Sequence, residues 1–166
     1  MISCRLEHRG RKRPPGISVS DLDRAVAWYA EAFGFDEVAR SDKPALGVRV
    51  ALLRLGDNML EVFEPYEPLP LPDGEGTLGM SLRRLGAKHF AIVVDDLQQA
   101  YEHLAAMGVE FDTDITKGST SCFCFCKDPD GLLVEVIQRL PQDCRPGGGE
   151  MGEPDRAPQT RQPRSD

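Results

Sequence analysis

A surplus of positive charge is missing from this chain of 166 residues, whose formal net charge is −7. That argues against nucleic acid as a partner, because binding phosphate needs a basic surface. Long apolar runs are missing as well: none approaches the length of a membrane-spanning helix. The basic N-terminus lacks the apolar core of a signal peptide, so a cytoplasmic protein with no membrane partner is expected. A disulfide framework is also absent. The five cysteines are odd in number, and three fall as Cys122-x-Cys124-x-Cys126, alternate positions that share one face of a strand. Same-face neighbours diverge from a single ion and free cysteine packs as a small core residue, so this row reads as packing rather than as a thiolate site.

What is present is a repeated pattern. Residues 1–15 read as a basic arm (Arg5, Arg9, Arg11, Lys12, Arg13) that ends in Pro14-Pro15. Gly16 to Ser20 alternates as a strand, and Ser20 or Asp21 caps a helix over Leu22 to Ala32, with Leu22, Val26, Tyr29 and Phe33 at helical spacing and Gly34 at its end. Three strands follow, at Phe35 to Arg40, Val48 to Leu55 and Met59 to Phe63. A linker over 65–86 starts with four prolines up to Pro72 and loosens at Gly74, Gly76 and Gly79. The first pattern then returns. His89 to Val94 reads as a strand, Asp95-Asp96 as a cap, Leu97 to Met107 as a helix ended by Gly108, and Val109 to Thr113, Ser121 to Cys126 and Leu132 to Gln138 as strands. The expected organisation is one domain over 16–140, with module one at 16–64 and module two at 87–140. Residues 141–166, with Gly147-Gly148-Gly149 and almost no apolar side chains, are expected to be a disordered tail.

The repeat changes the meaning of one carboxylate. Glu135 interrupts the apolar strand after the Asp128-Pro129-Asp130-Gly131 turn, and alone it reads as a solvent-facing strand residue. Aligning the modules sets Val19-x-Asp21-Leu22 on Val94-x-Asp96-Leu97 and Leu60-Glu61-Val62 on Val134-Glu135-Val136, so Glu61 and Glu135 are counterparts. His89 opens the second module. One imidazole with two carboxylates suits a divalent ion such as Zn, Ni, Co, Mn or Fe.

The paired β-α-β-β-β units, Trp28-Tyr29 followed by Phe33-Gly34-Phe35, and the Asp-Pro-Asp-Gly turn before Leu-Val-Glu-Val resemble the vicinal oxygen chelate superfamily over about residues 16 to 138. This group spans glyoxalases, methylmalonyl-CoA epimerase, bleomycin-resistance proteins and extradiol dioxygenases. The resemblance implies an α+β fold, two tandem βαβββ modules forming a curved eight-stranded mixed sheet around a cavity. It also implies metal ligands at His89, Glu135 and Glu61. The fourth position departs from the pattern, because Pro14 stands where the repeat would put a ligand. His8 lies just upstream, and removing about six residues, as though Arg9 to Pro14 were inserted, would restore its spacing. Either His8 folds back as a ligand or three protein ligands serve with water.

The implied activity is that of a metal-dependent lyase or isomerase of the glyoxalase or epimerase type. It would act on a small carbonyl or thioester substrate through an enediolate, with Glu61 or Glu135 moving the proton. The alternative is a metal-free protein of the bleomycin-resistance type that sequesters a drug or metabolite in the same cavity, which Pro14 favours. Either implies a homodimer. His103 reads as a solvated helix residue, Trp28, Tyr29 and Phe33 as core, and Arg83, Arg84 and Lys88 as a cluster able to steer an anion or simply a solvated face.

Overall fold

The computed structural model describes residues 4–5, 14–72 and 76–140. Two helices, α1 (Leu22–Phe33) and the later α3 (Leu97–Ala106), start in the same way. Asp21 Oδ1 accepts from Arg24 N at 2.9 Å, and Asp96 Oδ1 accepts from Gln99 N at 2.9 Å. Each cap satisfies an amide that the helix itself leaves open and contributes about 1 kcal/mol. Both helices exit through a glycine in the left-handed region, Gly34 at φ 79° and Gly108 at φ 77°, where a Cβ would be strained. The short α2 (Leu78–Ser81) lies in the linker.

The strands are β1 (Cys4–Arg5), β2 (Gly16–Ser18), β3 (Asp36–Lys43), β4 (Val48–Leu55), β5 (Asn58–Pro65), β6 (Phe90–Val94), β7 (Thr116–Lys117), β8 (Ser121–Lys127) and β9 (Leu133–Arg139). They form two mixed sheets, ordered β2-β5-β4-β3 and β1-β6-β9-β8-β7. The α+β class and the two βαβββ modules are as the sequence implies. The eight module strands divide four and four between the sheets, and no ladder among the described residues joins one sheet to the other. In each module the first strand pairs parallel with the last, β2 with β5 and β6 with β9. β1, within the segment read as an arm, pairs antiparallel with the end of β6.

The segment expected as a strand at Val109 to Thr113 is not one. It makes a single bridge, Phe111 to Cys126, and the short β7 follows further along. Its backbone still reaches β8, Asp112 N donating to the Phe125 carbonyl oxygen and Lys127 N to that of Glu110, both at 2.9 Å, but the Thr113 hydroxyl takes the Phe125 amide at 3.0 Å in place of a main-chain carbonyl. Short polar side chains that bond to backbone compete with a regular ladder.

One core runs through both modules. Ala51, Leu53, Leu60 and Val62 of the first sheet pack under α1, and Cys124, Cys126, Val134 and Val136 of the second pack with Leu97, Ala100 and Leu104 of α3. Tyr29 links the halves, fully buried, with its ring 6.2 Å from that of Phe90 and 5.9 Å from that of Phe35. Trp28 packs edge-on against Tyr29 and Phe33, as core side chains do. His103 does more than face solvent: its Nε2 lies 3.0 Å from the carbonyl oxygen of Glu31, tying α3 to α1.

Candidate active site

The pairing registers turn the sequence repeat into a spatial one. Gly16 pairs with Glu61 in the first sheet and Ala91 with Glu135 in the second. Gly16 and Ala91 each stand five residues ahead of the capping aspartate of their helix, so the two glutamates occupy equivalent places. By the same step Pro14 is the counterpart of His89, each seven residues ahead of its cap. A proline offers no side-chain donor at that point.

His89 and Glu135 meet. The imidazole Nε2 lies 3.3 Å from Glu135 Oε2, with the side chains 25% and 18% exposed. Phe125, opposite Glu135 in the ladder, sets its ring edge-on to the imidazole at 4.8 Å between centroids and limits the ring's freedom. An imidazole nitrogen and a carboxylate oxygen at this separation, both still partly accessible, fit as two donors to a divalent ion. Glu61 is half-buried at the matching place in the other sheet, beside Leu52. Among the described residues no three His, Cys, Asp or Glu side chains gather closely enough to hold an ion, so Glu61 does not join the other two in this arrangement. His8 lies outside the described residues.

Against His89 is a pocket of about 290 Å³, walled by the β2 residues Gly16, Ile17 and Ser18 and by Lys88, His89 and Leu132 among others, with neither Glu135 nor Glu61 in its lining. It lies where the first strands of the two modules approach each other. A Cβ at Gly16 would sit 2.9 Å from Cε2 of Phe63, so a larger residue there would have to displace that ring. Lys88 brings a positive charge to the pocket wall and donates to the carbonyl oxygen of Arg84.

The Asp-Pro-Asp-Gly turn does something its sequence does not reveal. Asp128, 5% exposed, accepts at Oδ1 from the amides of Asp130 and Leu132, both at 2.9 Å, and at Oδ2 from the Tyr29 hydroxyl at 3.0 Å. Asp130 accepts from the Ser20 hydroxyl at 2.5 Å, the Ser20 amide at 3.1 Å and the Arg24 guanidinium at 2.8 Å. A turn of module two is thereby fastened to the helix of module one. Burial holds the Asp128 carboxyl above the ordinary aspartate range, while its backbone hydrogen bonds pull the other way. Burial, with the Asp128 charge behind it, likewise raises Tyr29 well above the usual phenol.

The cysteine row packs. Cys124 and Cys126 are completely buried, and burial pushes both thiols up to about 12, with Glu135 and Cys124 respectively as the next contributors. They are inert thiols by environment.

Comparison with known proteins places these features in a family. The model described as the Glyoxalase/Bleomycin resistance protein/Dioxygenase superfamily matches residues 11–136. Lactoylglutathione lyase of Arabidopsis thaliana is 32% identical over 131 residues, covering 74% of this chain and 42% of the relative. A probable lactoylglutathione lyase of Vibrio cholerae is 28% identical over 125 residues, covering 74% of this chain and 86% of the relative. The chain thus spans less than half the length of the plant relatives it matches. Among solved structures, a glyoxylase/bleomycin resistance protein/dioxygenase domain from Frankia superposes with a TM-score of 0.66 at 20% identity, covering 81% of this chain and 96% of that one, which speaks to the fold.

Proposed function

The chain belongs to the glyoxalase/bleomycin resistance protein/dioxygenase superfamily, and from that premise we propose that it is a glyoxalase-like lyase or isomerase dependent on a divalent metal ion. The observation that carries this reading is the approach of His89 Nε2 to Glu135 Oε2 at 3.3 Å, at the register position that Glu61 repeats in the other module. Relatives named lactoylglutathione lyase support the reaction class. The proposed substrate is a small carbonyl compound or thioester with a proton on the carbon next to the carbonyl.

His89 and Glu135 would hold the ion, with Glu61, which stands apart from them in this arrangement, as the proposed third ligand; the ion when bound supplies Lewis-acid polarisation of the substrate carbonyl. The protein's own contribution is orientation and proton transfer. His89 is steadied by Phe125 and faces the pocket, where a substrate oxygen would be placed. Glu135, beside it, or Glu61 takes the proton from the activated carbon and returns it to the neighbouring one. Phe90, Leu132 and Leu133 give the pocket an apolar lining. The same reading includes a homodimer. The sheet faces that carry Glu61 and Glu135 point away from the core, and Phe63, Phe123 and Ile137 on them are only half covered, which suits a second copy.

The test is isomerisation of methylglyoxal adducts with a panel of thiols, by protein freed of metal and then reloaded. Activity restored by a divalent ion and lost in both His89→Ala and Glu135→Ala is the expected result. A chain that binds an apolar drug of the bleomycin class with no metal requirement, and turns over nothing, would favour the sequestering alternative that Pro14 suggests.

A further inference from the structure

Ser18 and Leu132 line the candidate-site pocket on one side and, on the other, a larger groove of about 810 Å³. One wall of the groove is the end of β2 with Ser20, and the other is the linker strap at 65–71. Pro65, Pro68 and Pro70, with Pro72 just beyond, each fix φ at about −65°; the strap bends at Tyr66 and Glu67, and its course is restricted before any ligand arrives. A wall formed in advance lowers the ordering cost of binding. The lining is dominated by the strap's prolines and leucines together with Leu132, and it contains no Lys, Arg or His. Its two ionisable groups are acidic. Asp130 is answered by Arg24 at 2.8 Å, whereas Glu67 is exposed and has no ion pair among the described residues.

We propose that this groove is a second subsite of the candidate active site, taking an extended apolar chain with a cationic polar end and disfavouring carboxylate-bearing thiols. The proposal rests on the placement of the active site given above and names the substrate class for it. The chain's apolar body would lie along the strap, with its reactive end directed past Ser18 and Leu132 towards His89. The cationic end would lie by Glu67. A carboxylate-rich thiol such as glutathione would meet an acidic wall with no cation to receive it, and would find only Lys88 in the smaller pocket.

The test is calorimetric titration of the full chain, stripped of metal, with octyltrimethylammonium, octanoate and S-hexylglutathione. Octyltrimethylammonium is expected to bind about fivefold more tightly than octanoate, the effect of one exposed charge, and more tightly than S-hexylglutathione. Glu67→Lys, a change on an exposed side chain, should invert the order of the cation and octanoate. Equal or tighter binding of octanoate or S-hexylglutathione to the wild-type chain, an order that Glu67→Lys leaves unchanged, or no binding of any probe would overturn the proposal. Because no metal is present in the titration, failure of the metal reading would leave this result untouched, and the two can fail separately.

Discussion

Removing the Tyr29 hydroxyl tests the clasp between the modules. Tyr29 is completely buried, and its hydroxyl donates to Asp128 Oδ2 at 3.0 Å, a carboxylate that is itself 5% exposed. A hydrogen bond to a charged acceptor is worth about 1.5–3 kcal/mol, and Tyr29→Phe leaves that acceptor short of one donor, so it should destabilise by about this amount. Asp128→Ala goes further. It orphans the hydroxyl and two amides of the turn, and about 2–4 kcal/mol is expected, a fall of roughly 5–15 °C in Tm for a domain of this size. Urea unfolding of both single variants and the double variant closes a cycle, in which the coupling energy should be about 1.5–3 kcal/mol. A Tyr29→Phe loss under about 0.5 kcal/mol with no coupling would refute the clasp as an energetic link. The same residue gives a pH dependence. Because burial raises the folded-state pKa of Asp128, the folded state binds its proton more tightly than the unfolded chain does. Its contribution is therefore fully present below the ordinary aspartate range, about 3.9, and is lost as pH rises through the folded value. Asp128→Asn should lie within about 1 kcal/mol of wild type at neutral pH and fall behind it progressively as the solution is acidified.

Two further outcomes follow from the same geometry. In the native protein Cys124 and Cys126 should resist an aromatic disulfide reagent near neutral pH and react only on unfolding, because burial pushes both thiols up to about 12; mass spectrometry of the labelled chain locates the adducts. Gly34→Ala should cost about 1 kcal/mol in urea unfolding, since φ 79° strains any side chain even though no atom lies within 4 Å of the added Cβ.

The parts of the structure written in local chemistry could be read from the sequence. Asp21 and Asp96 announce their helices because a capping carboxylate acts within three residues, and Gly34 and Gly108 announce the exits because no other residue takes their conformation easily. The equivalence of Glu61 and Glu135 was legible only through the repeat, and the registers Gly16 with Glu61 and Ala91 with Glu135 give it a spatial form. Other features depend on partners far apart in the chain. Asp130 and Ser20 are separated by 110 positions, and neither residue alone suggests the bond between them. Phe125 reads as an ordinary strand aromatic until the ladder puts it opposite Glu135, with its ring against His89. The segment at Val109 to Thr113 misleads for the opposite reason: its pattern suits a strand and its backbone does reach β8, but the Thr113 hydroxyl takes the Phe125 amide that the next rung of a ladder would have needed.

Titration of the metal-free chain with Ni²⁺ or Zn²⁺, beside its Glu135→Ala and Glu61→Ala variants, addresses the metal site itself. One ion per chain, with at least tenfold weaker binding in each variant, is the result predicted for a site that draws on both modules. Undiminished affinity in Glu135→Ala, or no binding by the wild-type chain, would contradict it.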